Sequence, residues 1–169
     1  MTEQLPAAPR TSARQTRWDC LAIVLAAALP LVLLRPLQDV PFGDDWTYAW
    51  SVQRLLAGHG LQWLDWSIHY NAVHVLWGAL FCLPGGFSFT ALRASTWTLA
   101  ASGLVALYLL LRQLQVERRD ALVGTATLGV NPIFFGLSFT FMTDVPFVAL
   151  STWAYLATIV ALTRRSESW

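Results

Sequence analysis

The chain has no lysine. All eleven of its basic residues are arginine, which excludes Schiff-base chemistry and a lysine nucleophile. Charge of either sign is scarce, at 12% of residues, while 56% are hydrophobic. Soluble domains carry roughly a quarter charged residues. With a mean hydropathy of +0.49, the chain reads as an integral membrane protein rather than a soluble one. There is no basic run, and the net charge of +1 gives nothing to hold nucleic acid. Cys20 and Cys82 both lie in apolar stretches, too distant in the chain for a thiolate metal pair and too few for a disulfide framework. No Walker loop, GxGxxG, GxSxG or CxxC occurs, which removes nucleotide-driven chemistry and the common serine-hydrolase arrangement at motif level.

What is present is a series of long apolar runs. Residues 1–17 are polar and hold Pro6, Pro9 and three arginines, a composition that predicts a disordered cytoplasmic tail. Charge-free stretches follow at 20–34, 75–92, 94–111, 121–143 and 145–163. The first ends in "LLRPLQ", which lacks a small-x-small cleavage pattern, so it is expected to stay as an anchor. The stretch 75–92 is broken by Pro84, Gly85 and Gly86. Only "VLWGALFCL" remains there, too short to span, and it reads as an interfacial or re-entrant helix. The expected architecture is therefore all-α and polytopic: a transmembrane module over 18–165 with about four spans at 19–37, 92–111, 121–142 and 145–163. The first extracytoplasmic loop, 38–91, carries interfacial helices.

Arginine placement supports that count. Arg10, Arg14, Arg17, Arg112, Arg118, Arg119, Arg164 and Arg165 then share one side, against Arg35, Arg54 and Arg93 on the other. Such a bias sets the N-terminus in the cytoplasm. Asp39, Asp44, Asp45, Asp65 and Asp144 come out on the opposite face. Five tryptophans, Trp46, Trp50, Trp63, Trp66 and Trp77, lie in the long loop and favour the headgroup level.

The stretch "FGDDW" opens an amphipathic helix expected over 46–57, with Gly58 and Gly60 ending it. Asp45 suits its N-cap, and Asp44 precedes the cap. A capping role competes with a chemical one for both. Asp144, in "FMTDVPF", lies between two long apolar runs. A carboxylate at membrane depth is costly and by default functional. His59, His69 and His74 also fall in the loop. The five-residue gap from His69 to His74 is not that of a helical metal pair, and no metal site is assigned. Asn131-Pro132 predicts a kink in the third span.

In order, these features resemble a known family. "FGDDWTYAWSVQRLLAGHG" is an acidic pair opening a loop helix. "VLWGALFCLPGG" is a short apolar segment ending in Pro and Gly. "FTALRASTWTLAASGLVALYLLLRQL" is a span with Arg at its outer end. "RRDALVGTATLGVNPIFFGLSFTFMTDVPF" has a mid-segment Pro and ends on a second Asp. Over about residues 18–163 the chain resembles the N-terminal part of the GT-C membrane glycosyltransferases. The nearest branch is the bacterial relatives of protein O-mannosyltransferases and of the lipid A aminoarabinose transferase.

The resemblance implies an inverting enzyme of the bacterial inner membrane. It would move a sugar from a polyprenyl-phosphate carrier to a lipid, glycan or protein acceptor at the extracytoplasmic face. It implies Asp44 at the catalytic centre, Asp45 in place of the family's Glu, and Asp144 as the second acidic station. Arg54 and Arg93 become candidates for the leaving phosphate. His69 and His74 stand where many relatives have a lysine, with a substrate-binding role. No cofactor is implied, and a divalent metal is neither required nor excluded. Since only the N-terminal part is matched, a partner chain or a further C-terminal part is expected. The competing reading is a non-enzymatic scaffold subunit or a small transporter-like bundle, in which the aspartates are caps and the tryptophans are anchors.

Overall fold

The computed structural model describes residues 12–65 and 71–166. His69 and Trp66, singled out above, lie outside the described residues. Among the described residues there are seven helices and no strand. They are α1 (Ala13–Leu34), α2 (Asp45–Leu56), α3 (Ala72–Cys82), α4 (Phe89–Gln113), α5 (Arg118–Gly129), α6 (Pro132–Leu137) and α7 (Asp144–Ser166). Three are long and apolar enough to cross a bilayer: Ala13–Leu34, Phe89–Gln113 and Asp144–Arg164. The protein is all-α and of polytopic membrane type.

α1 begins inside the stretch expected to be a polar tail. Ser12 caps it, its Oγ accepting the Gln15 N–H at 3.2 Å, which satisfies one of the orphan donors of the first turn. The helix ends at Leu34 because Arg35 takes a left-handed conformation (φ 46°), and the Pro36 that follows disfavours helical backbone before it. Within α1, Pro30 supplies no N–H, and the nearby Ala27 carbonyl accepts the Trp97 Nε1–H of α4 at 3.1 Å.

α4 is the hub, packing against α1, α3, α5 and α7. Its closest partner is α7. A Cβ placed on Gly103 would come within 2.8 Å of the Ala149 Cβ, so the two backbones touch through their smallest residues, as membrane helices prefer. Leu99 lines the same cavity as Asp144, four residues before the Gly103–Ala149 contact. Advancing along α4 therefore advances along α7, and the two helices run parallel.

Residues 121–142, expected as one span, form two helices. α5 stops at Gly129 and α6 starts at Pro132. Asn131 Oδ1 accepts the N–H groups of both Ile133 and Phe134, at 3.0 and 3.1 Å. Proline cannot continue a helix but suits its first position. An N-cap placed directly before it converts the expected kink into a break and a restart.

One end of the bundle is stapled by Asp19, which the sequence reading passed over. Its carboxylate takes two bonds from Arg118, at 2.7 and 2.9 Å, and the Tyr108 hydroxyl at 2.5 Å. Asp19 is 4% exposed and Tyr108 is fully buried, so the polar groups that α1, α4 and α5 bring together satisfy one another. At the other end, loop 35–44 lies over the start of α4, with Asp39 Oδ1 accepting the Phe89 N–H at 2.7 Å.

The Gly103 contact is testable. Gly103→Val should destabilise the chain in detergent by about 1–3 kcal/mol, because a branched side chain overpacks a backbone contact. Gly103→Ala should recover most of its own loss when combined with Ala149→Gly. Thermal unfolding followed by near-UV circular dichroism measures both.

Candidate functional site

The two adjacent carboxylates of "FGDDW" have opposite surroundings. Gly43 takes a left-handed turn (φ 58°), a conformation glycine adopts without penalty, and the chain then enters α2. Asp44 occupies the N-cap position, is exposed, and makes no side-chain cap bond. Asp45, expected as the cap, is instead the first helical residue and is fully buried. Its Oδ1 accepts the Phe42 N–H at 2.8 Å and its Oδ2 meets Arg93 Nη2 at 3.2 Å. The register differs by one from the expected capping because Arg93 draws Asp45 inward.

Arg93 is committed as well. Its Nη1 donates to the Gln38 carbonyl and its Nη2 to the Val40 carbonyl, both at 2.6 Å, in addition to Asp45. At 3% exposure, it holds the loop rather than facing a substrate. Arg54 is half-buried near the far end of α2. Its Nε donates to Gln62 Oε1 at 2.9 Å, and its guanidinium sits 5.7 Å from the Trp50 ring centre. Ten residues of helix put it about 15 Å along the axis from Asp44. His59 and Asp65 are exposed.

α2 packs on α3, and His74 is the meeting point. The Tyr48 ring stands edge-on to it at 5.8 Å, and the Phe141 ring stacks on it at 3.9 Å. His74 Nε2 lies 3.4 Å from the Phe141 carbonyl. A carbonyl only accepts, so this nitrogen carries the proton and Nδ1 is the acceptor. Nδ1 is buried and has no partner. Gly78, one turn on, leaves room for Phe141: a Cβ there would lie 2.5 Å from its ring. His74 thus joins the α2 start, which carries the acidic pair, to the segment that runs from Phe141 to Asp144.

Asp144 opens α7 and is exposed. It lines a cavity of about 560 Å³ between α3 and α7, together with Asn71, His74, Trp77, Thr143 and Phe147. Leu99 borders the same cavity. Six residues separate Leu99 from Arg93, about 9 Å along α4. Among the described residues, no three His, Cys, Asp or Glu side chains gather as a metal site.

Burial pushes the His74 pKa down from its ordinary 6.5 to about 4, with the Phe141 carbonyl pulling weakly the other way. The imidazole is therefore neutral near pH 7, and burial of a protonated ring is disfavoured.

Two predictions arise from these contacts. Asp45→Asn should cost about 3–5 kcal/mol, the usual penalty for leaving a buried charge unpaired, whereas Asp44→Asn should stay within about 0.5 kcal/mol; thermal unfolding in detergent separates them. His74 has a folded pKa below its unfolded one, so its contribution is complete above about 6.5 and is lost as pH falls toward about 4. The unfolding midpoint should drop across that window, and His74→Phe should remove that part of the drop.

The sequence model of a family described as dolichyl-phosphate-mannose-protein mannosyltransferase matches residues 72–169, more than half of the chain. The match covers His74, Arg93 and Asp144, while Asp44, Asp45 and Arg54 precede it. No curated protein and no solved structure matches the chain.

Proposed function

Because the chain belongs to the dolichyl-phosphate-mannose-protein mannosyltransferase family, a family of membrane glycosyltransferases, we propose that it is an inverting glycosyltransferase or a module of one. It moves a sugar from a polyprenyl-phosphate carrier to a hydroxyl on a lipid, glycan or protein acceptor. The work takes place at the extracytoplasmic face of a bacterial inner membrane, with the N-terminus in the cytoplasm. The observation that carries this reading is the pairing of an exposed, uncommitted Asp44 with a buried, fully bonded Asp45.

A general base must be reachable and free to take a proton. Asp44 meets both needs, and Asp45 meets neither. Asp45 and Arg93 act instead as positioning residues that fix the turn from which Asp44 projects. Asp44 takes the proton of the acceptor hydroxyl as its oxygen attacks the anomeric carbon. The new C–O bond forms on the face opposite the phosphate, the bond from that carbon to the phosphate oxygen breaks, and the electron pair leaves with the polyprenyl phosphate. A cation near the departing phosphate stabilises its charge. Neither outer candidate stands beside the turn: Arg93 is bound up in the loop, and Arg54 is bonded to Gln62 about 15 Å along α2 from Asp44. The exposed apolar side chains of Val40, Phe42 and Trp46 keep the Asp44 turn at the lipid boundary, where a lipid-borne donor arrives.

Asp44→Asn in the complete enzyme, with any partner chain present, should lower transfer by at least about a hundredfold, the low end for general-base catalysis, while membrane insertion is unchanged. Retained transfer would remove Asp44 from the chemistry and favour a scaffold role. Cysteine labelling of a variant lacking Cys20 and Cys82 should place positions 44 and 144 on one side of the membrane and 119 on the other.

A further inference from the structure

The cavity between α3 and α7 has a composition that the transfer step does not need for its base or its leaving group. One wall is aromatic. Trp77 is locked in place, its indole N–H donating to the Ser95 carbonyl at 3.0 Å and its ring lying 5.3 Å from Phe81. Phe147, 71% exposed, borders the same space. The rim is polar and uncommitted. The side chains of Asn71, Thr143 and Asp144 carry no hydrogen bond among the described residues, although Asn71 occupies the N-cap position of α3. His74, which also lines the cavity, is only 6% exposed, and its Nδ1 is a bare acceptor with no donor.

These groups define the chemistry of an occupant. The Asp144 carboxylate and the Asn71 amide are the uncommitted polar groups at its rim, and the His74 imidazole also lines it. A carboxylate only accepts, so an occupant beside Asp144 must bring hydrogen-bond donors. The aromatic wall wants an apolar face. Pockets of this kind hold a ligand by apolar area and fix its orientation with a few polar groups. A pyranose ring fits both demands. Its C–H face packs flat on an indole, and its edge is a row of hydroxyl donors, which a carboxylate accepts more strongly than a neutral group does.

We propose that this cavity is a pyranose subsite, in which Trp77 stacks on the sugar and Asp144, with Asn71, bonds its hydroxyls. This rests on the sugar-transfer reading and gives Asp144 a substrate-orienting duty distinct from the proton transfer at Asp44. The same chemistry serves the sugar of the donor or a sugar acceptor.

Equilibrium binding to the full chain in detergent tests it, with matched probes that differ by a sugar. Farnesyl-phosphate-linked mannose against farnesyl phosphate reports the donor sugar. Octyl mannoside against octanol reports an acceptor sugar. In at least one pair, the sugar should tighten binding by about tenfold, or one power of ten in Kd. Asp144→Asn and Trp77→Leu should each reduce that gain to about twofold or less while leaving the sugarless probe unchanged, which controls for folding. Asp144→Glu should restore part of it. Asp44→Asn should keep the gain, so loss of transfer in that variant with retained sugar binding separates the two ideas. The subsite is overturned if the sugar adds nothing in either pair, if both variants keep the gain, or if chelation of divalent metal abolishes it.

Discussion

One guanidinium organises the end of the bundle that carries the acidic residues. Arg93, almost fully buried, binds two backbone carbonyls of the 35–44 loop and the Asp45 carboxylate. Removing a charge from water costs several kcal/mol unless its partners are well placed. Here they are supplied by chain segments about fifty residues earlier, so the arginine can be buried only if the loop lies across α4. The loop, in turn, needs somewhere to put its carbonyls at the membrane boundary, where unsatisfied polar groups are expensive. Each cost is met in large part by the other, with only Arg93 Nε left unpartnered on the guanidinium, and the turn at Gly43–Asp44 follows from that arrangement.

A second constraint carries this geometry to α7. The Gly103–Ala149 contact lets α4 and α7 approach closely in parallel, and the broken helix α5–α6 returns the chain to the end where α7 begins. Phe141 then reaches back over Gly78 and stacks on His74. The imidazole is held between α2 and the α6–α7 turn, and its neutrality follows from that burial. The α2 start and the α6–α7 turn are therefore linked through packed side chains and not through a flexible loop.

The long apolar helices α1, α4 and α7, the short helix α3 and the amphipathic helix α2 were legible in the sequence, because apolar run length and helical spacing are local signals. The arginine at the start of α4 stood out for the same reason, but its task did not. Nothing in local spacing tells that Arg93 pairs with a residue 48 positions earlier, or that this pairing shifts the cap from Asp45 to Asp44. Asp19 is the sharper case. A lone carboxylate at the edge of an apolar run drew no reading, and only Tyr108 and Arg118, about ninety and a hundred residues further on, reveal it as a staple. At Asn131-Pro132 the local signal was present but was read as a kink, because a capping side chain before a proline was not weighed as a helix start. Of the candidate site residues, Asp44 and Asp144 were found where exposure leaves them free. The commitments of Asp45 and Arg93 needed the tertiary contacts.

Adjacent carboxylates repel one another, and two ionised aspartates on one turn should be unstable as a pair. Burying Asp45 against a cation removes most of that repulsion, since the Arg93 charge cancels the Asp45 charge at short range and leaves Asp44 facing solvent. The pairing also gives the turn its rigidity: the Phe42 N–H and Arg93 both hold Asp45, so Asp44 projects from a fixed backbone although its own side chain makes no bond. On the proposed transfer reading, this leaves Asp44 positioned without being occupied. Two identical residues side by side thus have opposite surroundings, one carboxylate fully bonded and the other unbonded, and the difference is made by an arginine that local sequence does not connect to either.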